Sequence, residues 1–392
     1  MKKSIKTFLK TAAKDYLSRS VNPPVVRAST ILFKTMQELR KHQKDIAKGK
    51  DVEHWDYGRQ GTQTTVQLQK LLRGLEEAYQ VFLTPTGFSA VALAIMSICR
   101  PGDEIVISDG VYRPTQKLTD DLLKEFNVKA VWYNPNKFED LKNKITKKTK
   151  LIYVENPGSN TFEMQDLGKV VSLAKSKNIL TAIDNTWATA YFFKPLKLGF
   201  DIAITSATKY YSGHSDVMGG TVAVNKKAYK KVWWYNHVSG YRLSPDDAYL
   251  IIRGLRTLDV RMDKHQASTK KVINFLKTQK KVSKILYPYK TSSKEFKLWK
   301  KYYSGASGLV SLIIKSNNKN SVYKFVNTLE LFGIGYSWGG FESLAVYTDP
   351  VELGNRRYFK LEKNEHLVRL HIGLEEPKDL ISDLRSSLKF VK

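Results

Sequence analysis

One lysine stands out among the 50 in this chain because of the residues around it. Lys209 ends the segment Ser206-Ala207-Thr208-Lys209, which follows the short apolar run Asp201–Thr205. A second apolar run, Ile179–Ile183, ends in Asp184. A lysine amine can form an imine with a carbonyl, hydroxyl groups can hold a phosphate, and a carboxylate can pair with a ring nitrogen. The pattern therefore indicates covalent amine chemistry at the ends of neighbouring buried strands.

These side chains together are the parts that a pyridoxal-phosphate (PLP) enzyme needs. Lys209 would carry the cofactor, and Asp184 would keep the pyridine nitrogen protonated so that the ring can accept electrons from a carbanion. Ser206 and Thr208 would add hydroxyl donors for the phosphate. The alternative interpretation of Asp184 is a helix N-cap, which is a common role for aspartate.

Further candidates lie on loops of the first half of the chain. The segment Thr86-Gly87-Phe88-Ser89 ends a predicted strand and precedes a predicted helix, Ala90–Cys99, where backbone N–H groups suit a phosphate. Tyr112 follows another predicted strand and could stack on a ring or exchange a proton. Arg59, within Tyr57–Thr62, offers a planar fork for phosphate or carboxylate. Core packing for the tyrosine and a solvated loop for the arginine are the alternatives.

The C-terminal part offers a candidate for substrate binding. Arg369 lies in the alternating pattern His366–Leu370, which predicts a strand. If this arginine faces inward it needs an anion, and the α-carboxylate of an amino acid would serve. An edge-strand salt bridge is an equally good interpretation from the sequence.

Seven short apolar runs alternate with helical patterns between about residues 65 and 225. Continuous apolar strands separated by helices predict a mainly parallel sheet covered on both faces. The predicted strands are Gln80–Leu83, Glu104–Ile107, Ala130–Tyr133, Leu151–Val154, Thr181–Asp184, Ile202–Thr205 and Thr221–Val224. Residues 1 to about 60 predict an extended arm with a short helix at Met36–Lys48, and the part from about 280 onward predicts a smaller mixed domain.

The chain carries 65 basic and 37 acidic residues, a net charge of +28. A basic surface can bind nucleic acid, but the lysines are spread along the chain, and we favour a compositional bias on solvated helix faces. The single cysteine, Cys99, cannot form an internal disulfide, which fits a reducing, cytoplasmic location. Residues 1–14 have no apolar segment and predict no secretory signal, although a transit peptide stays open. No metal motif is present.

In combination these segments resemble the Cys/Met-metabolism family of fold-type I PLP enzymes, over about residues 22–388. The motifs that carry the resemblance are Tyr57-Gly58-Arg59, Thr86-Gly87-Phe88, Glu155–Ser159, Asp184-Asn185-Thr186, Ser206–Lys209, Ser244–Asp247 with Arg253–Thr257, and Trp338–Ser343. Within the family, Gly335–Ser343 and Glu155–Ser159 are most similar to the bacterial cystathionine β-lyases.

The resemblance implies an aspartate aminotransferase-like α/β fold in three parts. Residues 1–62 would form an arm that contacts a neighbouring subunit, 63–255 a PLP-binding large domain, and 256–392 a smaller C-terminal domain. It also implies a homodimer whose subunits share active sites, and a tetramer of two such dimers.

The family pattern implies a role for each matched position. Lys209 carries PLP and moves the Cα proton, Asp184 pairs with the pyridinium, and Tyr112 stacks on the ring. The residues expected at the phosphate are Gly87, Phe88, Ser206 and Thr208, together with Tyr57 and Arg59 from the neighbouring subunit. The residues expected at the substrate are Arg369, the Ser337 backbone, Trp338 and Tyr57.

The implied reaction is α,β-elimination of L-cystathionine, with alanine racemisation as a side activity if Tyr112 acts opposite Lys209. The alternatives within the family are a cystathionine γ-lyase, a γ-synthase and a methionine γ-lyase. Two departures from the pattern bear on this choice. Ser159 stands where many relatives have an asparagine, and Lys117 stands where some β-lyases have an acid. If that acid helps to hold the distal ammonium of cystathionine, Lys117 favours a different or smaller substrate.

Overall fold

A computed structural model describes residues 3–12, 20–48, 55–289, 294–349, 353 and 356–392. Within these residues the chain forms a seven-stranded and a four-stranded sheet. The strands of the larger sheet, β1 to β7, are Gln80–Thr84, Glu104–Ser108, Lys129–Tyr133, Thr149–Glu155, Leu180–Asp184, Ile202–Ser206 and Gly220–Val224. Those of the smaller sheet, β8 to β11, are Val282–Leu286, Leu309–Lys315, Leu344–Thr348 and Glu365–His371.

Helices precede, separate and follow these strands. In the described part of the chain α1 to α16 are Ile5–Thr11, Met36–Ala47, Gln63–Glu76, Gly87–Met96, Arg113–Lys117, Leu123–Glu125, Phe138–Lys144, Leu167–Ser176, Thr189–Phe192, Pro195–Leu198, Lys226–Ser239, Pro245–Leu255, Leu258–Leu276, Lys294–Tyr302, Lys319–Asn327 and Pro377–Leu388. A 3-10 turn covers Gly58–Gln60, and a π turn at Leu118–Leu122 joins α5 to α6. No helix in the described ranges is long and apolar enough to cross a membrane.

The larger sheet has the strand order β1-β7-β6-β5-β4-β2-β3. Strand β7 runs antiparallel to its two neighbours, and the other pairs are parallel. The mainly parallel sheet and its seven predicted strands are therefore confirmed. The connection from β2 to β3 runs toward one edge of the sheet, and the connection from β4 to β5 runs toward the other edge. The winding direction therefore reverses between β2 and β4. A crevice opens at such a point, beyond the carboxyl ends of the strands.

Both faces of the larger sheet are buried. Alternate residues of β4 enter opposite hydrophobic clusters, with Ile152 and Val154 in one and Leu151 and Tyr153 in the other. The first cluster includes residues of α3 and α8 and continues into the smaller sheet at Leu312, while the second includes residues of α4 and α11. The strands read as continuous apolar runs because both of their faces meet helices.

The first helix packs on its own chain, although the sequence predicts an extended arm there. Leu9 is fully buried, and the ring of Phe8 lies against Gly74 of α3. The Arg256 guanidinium donates a hydrogen bond to the Leu9 carbonyl at 3.0 Å. Two adjacent apolar side chains give α1 a face that α3 covers. The predicted helix after Met36 is confirmed as α2, whereas residues 13–19 and 49–54 of the arm lie outside the described residues.

Candidate functional site

Lys209 lies on the turn that follows β6, and its amine points toward the smaller sheet's loops. Its Nζ donates a hydrogen bond to the Ser337 Oγ at 2.5 Å and lies 5.4 Å from the centre of the Trp338 ring. The turn itself is closed by backbone hydrogen bonds from the Lys209 N–H to the Ser206 carbonyl and from the Gly213 N–H to the Lys209 carbonyl. Residues 128 positions apart in the chain thus meet at one amine.

The charge of this amine is disfavoured by its surroundings. Burial and the nearby guanidinium of Arg369 lower the pKa of Lys209 to about 8, against the opposing effect of Asp184. An amine with such a pKa is uncharged in a useful fraction near neutral pH, and only the uncharged amine is a nucleophile or a base.

Asp184 ends β5, the strand beside β6. Its Oδ1 accepts a hydrogen bond from the Thr186 N–H at 2.9 Å. Burial raises the pKa of its carboxyl, while the Thr186 hydrogen bonds and the charge of Lys209 lower it. The N-cap alternative is wrong, because the next helix, α9, begins at Thr189. The carboxylate instead closes a local turn and stays close enough to Lys209 to influence its charge.

Glu155 is a second acid at the same edge of the sheet, and sequence reasoning assigned it no role. It ends β4 and is the register partner of Asp184. Its Oε2 accepts the Tyr112 N–H at 2.7 Å. Burial and the nearby Asp184 raise the pKa of its carboxyl well above the ordinary value. Its position at a strand end, directly before Asn156-Pro157, was the available signal.

Tyr112 lies directly beside Glu155 and keeps an open ring. It is 49% exposed, and it directly precedes α5. Burial of the hydroxyl and the carboxyls of Glu155 and Asp184 raise its pKa, while Arg369 lowers it. The ring is therefore placed among the charged groups of the crevice, with a face that a flat cofactor could cover.

The N-terminus of α4 lies directly against the lysine turn. A Cβ atom on Gly87 would be 2.3 Å from the Ser206 Oγ, so only glycine allows this approach. Thr86 caps the helix, and Ser89 completes a capping box. The predicted helix boundaries were wrong by three residues, since α4 spans Gly87–Met96 rather than Ala90–Cys99. The backbone N–H groups at the start of α4, at Gly87 and Phe88, and the Ser206 hydroxyl together offer a cradle of donors that suits an anion.

Two other predicted phosphate residues differ in their surroundings. The Thr208 Oγ1 donates to the Gly219 carbonyl at 3.2 Å and accepts the Gly219 N–H at 3.0 Å, so it ties the lysine turn to the segment before β7. Phe88 follows Gly87 in α4 and is 42% exposed. Thr208 therefore has a structural bond of its own beside the cradle, whereas Phe88 presents an open ring at the helix start.

Arg369 lies on β11, which is an inner strand of the smaller sheet. It pairs with β10 on one side and β9 on the other, so the edge-strand alternative is wrong. Its Nη2 donates to the Ser337 carbonyl at 3.1 Å. Ser337 has φ = 78°, a left-handed conformation that is costly outside glycine and that clusters at functional sites. The guanidinium, the Ser337 backbone and the Lys209 amine thus form one group.

A buried arginine between β10 and β11 also reaches the loops that end at this crevice, and sequence reasoning missed it. Arg356 donates to the Asp109 carbonyl and to the Ser159 carbonyl, both at 2.6 Å. It lowers the pKa of Glu155, against the burial that raises it. Arg356 clamps together the loops that follow β2 and β4, so it supports the backbone that leads to Tyr112.

Tyr57 and Arg59 do not join this group in the described part of the chain. Tyr57 is 45% exposed, and the Arg59 Nη1 donates to the His237 carbonyl of α11 at 3.4 Å. Burial and the nearby Arg59 lower the pKa of Arg242 to about 10. The Arg242 Nη1 donates to the Gln60 carbonyl at 2.5 Å. Two guanidiniums thus lie near each other, that of the exposed Arg59 and that of the half-buried Arg242, an arrangement that suits an anion.

The residues present fit PLP. Four groups lie together at the carboxyl edge of one sheet. They are the Lys209 amine with its lowered pKa, the Asp184 carboxylate, the open Tyr112 ring, and the anion cradle at Gly87, where no Cβ would fit. These are the groups that would hold the aldehyde carbon, the pyridine nitrogen, the ring face and the phosphate of that cofactor.

Comparison with known proteins agrees with this fit. The model of the Cys/Met metabolism PLP-dependent enzymes matches residues 7–389. The chain belongs to that family. Its cofactor is accordingly PLP, and the predicted fold type is confirmed.

Members of the family with different names resemble the chain closely. A cystathionine β-lyase of Bordetella avium is 35% identical over 94% of this chain and 92% of its own length. An L-alanine/L-glutamate racemase of Wolbachia pipientis is 33% identical over 94% of this chain and 92% of its own length. The crystal structure of a Xanthomonas oryzae cystathionine γ-synthase, in complex with aminoacrylate and cysteine, superposes with a TM-score of 0.90 at 27% identity, over 100% of this chain and 99% of that one.

Proposed function

We propose that this chain is a carbon–sulfur lyase that converts L-cystathionine to homocysteine, pyruvate and ammonia, a step of methionine biosynthesis. The observation that carries the proposal is the Lys209 amine, with its pKa lowered to about 8, next to Asp184 and Arg369. The high similarity to a cystathionine β-lyase, at 35% identity, selects this elimination within the family.

PLP, when bound, supplies the electron sink that makes the Cα–H bond of an amino acid acidic. Lys209 would hold the cofactor, and its amine, when free, would remove the Cα proton. Asp184 would keep the ring nitrogen protonated. As the Cβ–S bond breaks, Lys209 would return the proton to the sulfur of homocysteine, and water would convert the remaining 2-aminoacrylate to pyruvate and ammonia. One residue thus acts first as base and then as acid.

The other residues would bind and orient. Arg369 and the Ser337 backbone would hold the α-carboxylate, and Trp338 would shape the pocket beside the amine. Tyr112 would stack on the ring. The phosphate would be held by Gly87, Phe88, Ser206 and Thr208. Tyr57 and Arg59 would reach the phosphate in a neighbouring subunit, with Tyr57 also at that subunit's substrate.

A contribution of Tyr57 and Arg59 to a neighbouring subunit's site implies an oligomer. The exposed Tyr57 and Arg59 support a homodimer with shared active sites, and we propose a tetramer of two such dimers in the cytoplasm. We also propose that residues 1–62, 63–255 and 256–392 act as arm, large domain and small domain.

The products released from L-cystathionine test the reaction. Pyruvate with homocysteine is the expected outcome. Release of 2-oxobutyrate would show γ-elimination instead and would move the chain to the γ-lyase or methionine γ-lyase alternatives. In a separate assay, formation of cystathionine from cysteine and an O-acylated homoserine, with release of the carboxylic acid, would indicate a γ-synthase.

Amino-acid racemisation is a second candidate function. It is favoured by the similarity to the L-alanine/L-glutamate racemase and by the position of Tyr112 among the charged groups around Lys209. Lys117, an exposed cation at the end of α5, is less suited to a substrate with a distal ammonium than to alanine or glutamate. The optical rotation of L-alanine and of L-glutamate should fall on incubation if this activity is present. A constant rotation with both substrates rejects it.

A further inference from the structure

The loop Ser337–Ser343 packs directly on the backbone of Lys209. Gly339, with φ = 92°, is so close that a Cβ atom would lie 2.9 Å from the Tyr210 nitrogen and 3.0 Å from the Lys209 carbonyl carbon. Small movements of this loop therefore change the distance between the Ser337 backbone and the Lys209 amine.

A buried histidine holds the loop at this point. His371 is 1% exposed, and its Nε2 accepts the Gly339 N–H at 3.1 Å. Its Nδ1 donates to the Glu342 carbonyl at 2.9 Å. The two bonds require a neutral imidazole with its proton on Nδ1. Burial, followed by the neighbouring His265, lowers the pKa of His371 well below its ordinary value, so the ring is neutral under ordinary conditions.

His371 acts from the same strand as the arginine expected to bind substrate. Arg369 and His371 are two residues apart on β11, so their side chains leave the same face of the strand. Arg369 holds the Ser337 carbonyl and His371 holds the Gly339 N–H. The strand thus fixes the loop at both ends of Trp338.

We propose that His371 is a positioning residue: through the Gly339 N–H it sets the place of the loop that forms the carboxylate-binding end of the pocket. This inference rests on the proposed function for the carboxylate, but the hydrogen bond itself can be tested independently of any activity.

His265 provides a matched control. It is fully buried, its ring lies 5.2 Å from that of His371, and its Nδ1 donates to the Ile372 carbonyl at 2.8 Å. The His265 ring packs on Tyr210 and His371, both of which contact the loop, but its own hydrogen bond goes to the Ile372 carbonyl. Replacing it changes the same buried cluster without removing the bond to Gly339.

Three variants of the PLP-loaded enzyme separate positioning from packing. In H371N the shorter amide keeps a donor near Glu342 but does not reach Gly339. In H371Q the longer amide places an acceptor where the Nε2 atom was. H265N is the control. Hydrogen–deuterium exchange of the peptide with Gly339 is measured in each, and the dissociation constant of glycine, an amino acid with no β-substituent to eliminate, is measured from the cofactor absorbance.

We expect exchange at Gly339 to be about fivefold faster in H371N, and glycine to bind about fivefold more weakly, as for the loss of one hydrogen bond. KM for substrate should rise with little change in kcat, and H371Q and H265N should stay near the wild type. Equal effects in H371N and H265N, or an H371Q as impaired as H371N, would overturn the proposal.

Glycine binding and hydrogen exchange test the proposed function and the positioning role of His371 separately. If the wild type neither binds glycine nor releases pyruvate, the proposed function fails, while the exchange measurement still decides whether His371 holds the loop. If H371N does not load PLP, the comparison rests on H371Q and H265N. Exchange at Gly339 that is faster in H371Q than in H265N, with equal glycine binding, then rejects the positioning role.

Discussion

The site around Lys209 and the segment Tyr57–Arg59 are built in opposite ways. Around Lys209, side chains from both sheets meet one another, and their burial shifts the pKa values of the lysine, Asp184 and Glu155. Tyr57 and Arg59 instead lie on the surface, with contacts to α11 and to each other. Under the proposed function, the acid–base chemistry would be assembled within one subunit, whereas part of the anion binding would be offered to a neighbouring subunit.

The largest effect within the inner group, after loss of Lys209 itself, should come from Asp184. Asp184→Asn removes the charge that would keep the ring nitrogen protonated, and we expect kcat to fall by about 100-fold or more. Glu155→Gln is the matched control at the neighbouring strand end and should cost about tenfold, since it retains an acceptor for the Tyr112 N–H. Steady-state kinetics with equal PLP content measure both. An Asp184→Asn enzyme as active as the Glu155→Gln enzyme would reject Asp184 as the partner of the ring nitrogen.

The outward segment can be tested by complementation. Arg59→Ala and Lys209→Ala should each be nearly inactive alone, but their co-expression should restore about a quarter of the wild-type activity. If the subunits pair at random, half of the dimers contain one copy of each variant. In each such dimer one of the two sites is intact, which gives about a quarter of all sites. Activity no higher than that of the separate variants would show that Arg59 does not serve the other subunit. Co-expressing Asp184→Asn with Lys209→Ala is the control, since both affect the same inner half and should restore nothing.

The charge balance at Lys209 should appear in its reactivity. In the cofactor-free protein, the rate of Lys209 acylation should rise with pH and reach its half-maximum near 8, because burial and Arg369 lower its pKa to about 8. An ordinary lysine has a pKa of about 10.4. Arg369→Leu should move the midpoint up, and Asp184→Asn should move it down, since the carboxylate supports the charged amine. Mass spectrometry of the labelled peptide measures this, and a midpoint near that of surface lysines would contradict the account.

The smallest expected effect concerns the core beneath the lysine turn. Buried Glu76 of α3 accepts the Tyr211 hydroxyl at 2.5 Å, and burial raises the pKa of its carboxyl to about 7. The unfolded chain loses this proton near pH 4.5, so the free energy of unfolding falls as the pH rises from there to about 7. Glu76→Gln removes this loss and should stabilise the protein at pH 8 by about 2 kcal/mol, with little gain at pH 4. Thermal unfolding at the two pH values measures it, and an equal gain at both would argue against ionisation.

Much of the large sheet was predictable, because its strands are apolar on both faces and helices separate them. The start of α4 was not, since Gly87 favours a loop interpretation, although the capping box of Thr86 and Ser89 was a readable signal. The roles of Glu155, Arg356 and His371 escaped the sequence for another reason. Each depends on a contact with a distant segment, such as Arg356 with Asp109, which lies 247 residues away. Such contacts leave no periodic pattern in the chain.

The central claim is that the Lys209 amine performs the elimination. Pyruvate release from L-cystathionine by the Lys209→Ala protein tests it most directly, with folding checked by circular dichroism and PLP supplied in excess. We predict a loss of at least about 1,000-fold relative to the wild type, because both the covalent anchor and the base are removed. A folded Lys209→Ala protein that retains activity within about tenfold of the wild type would contradict the account.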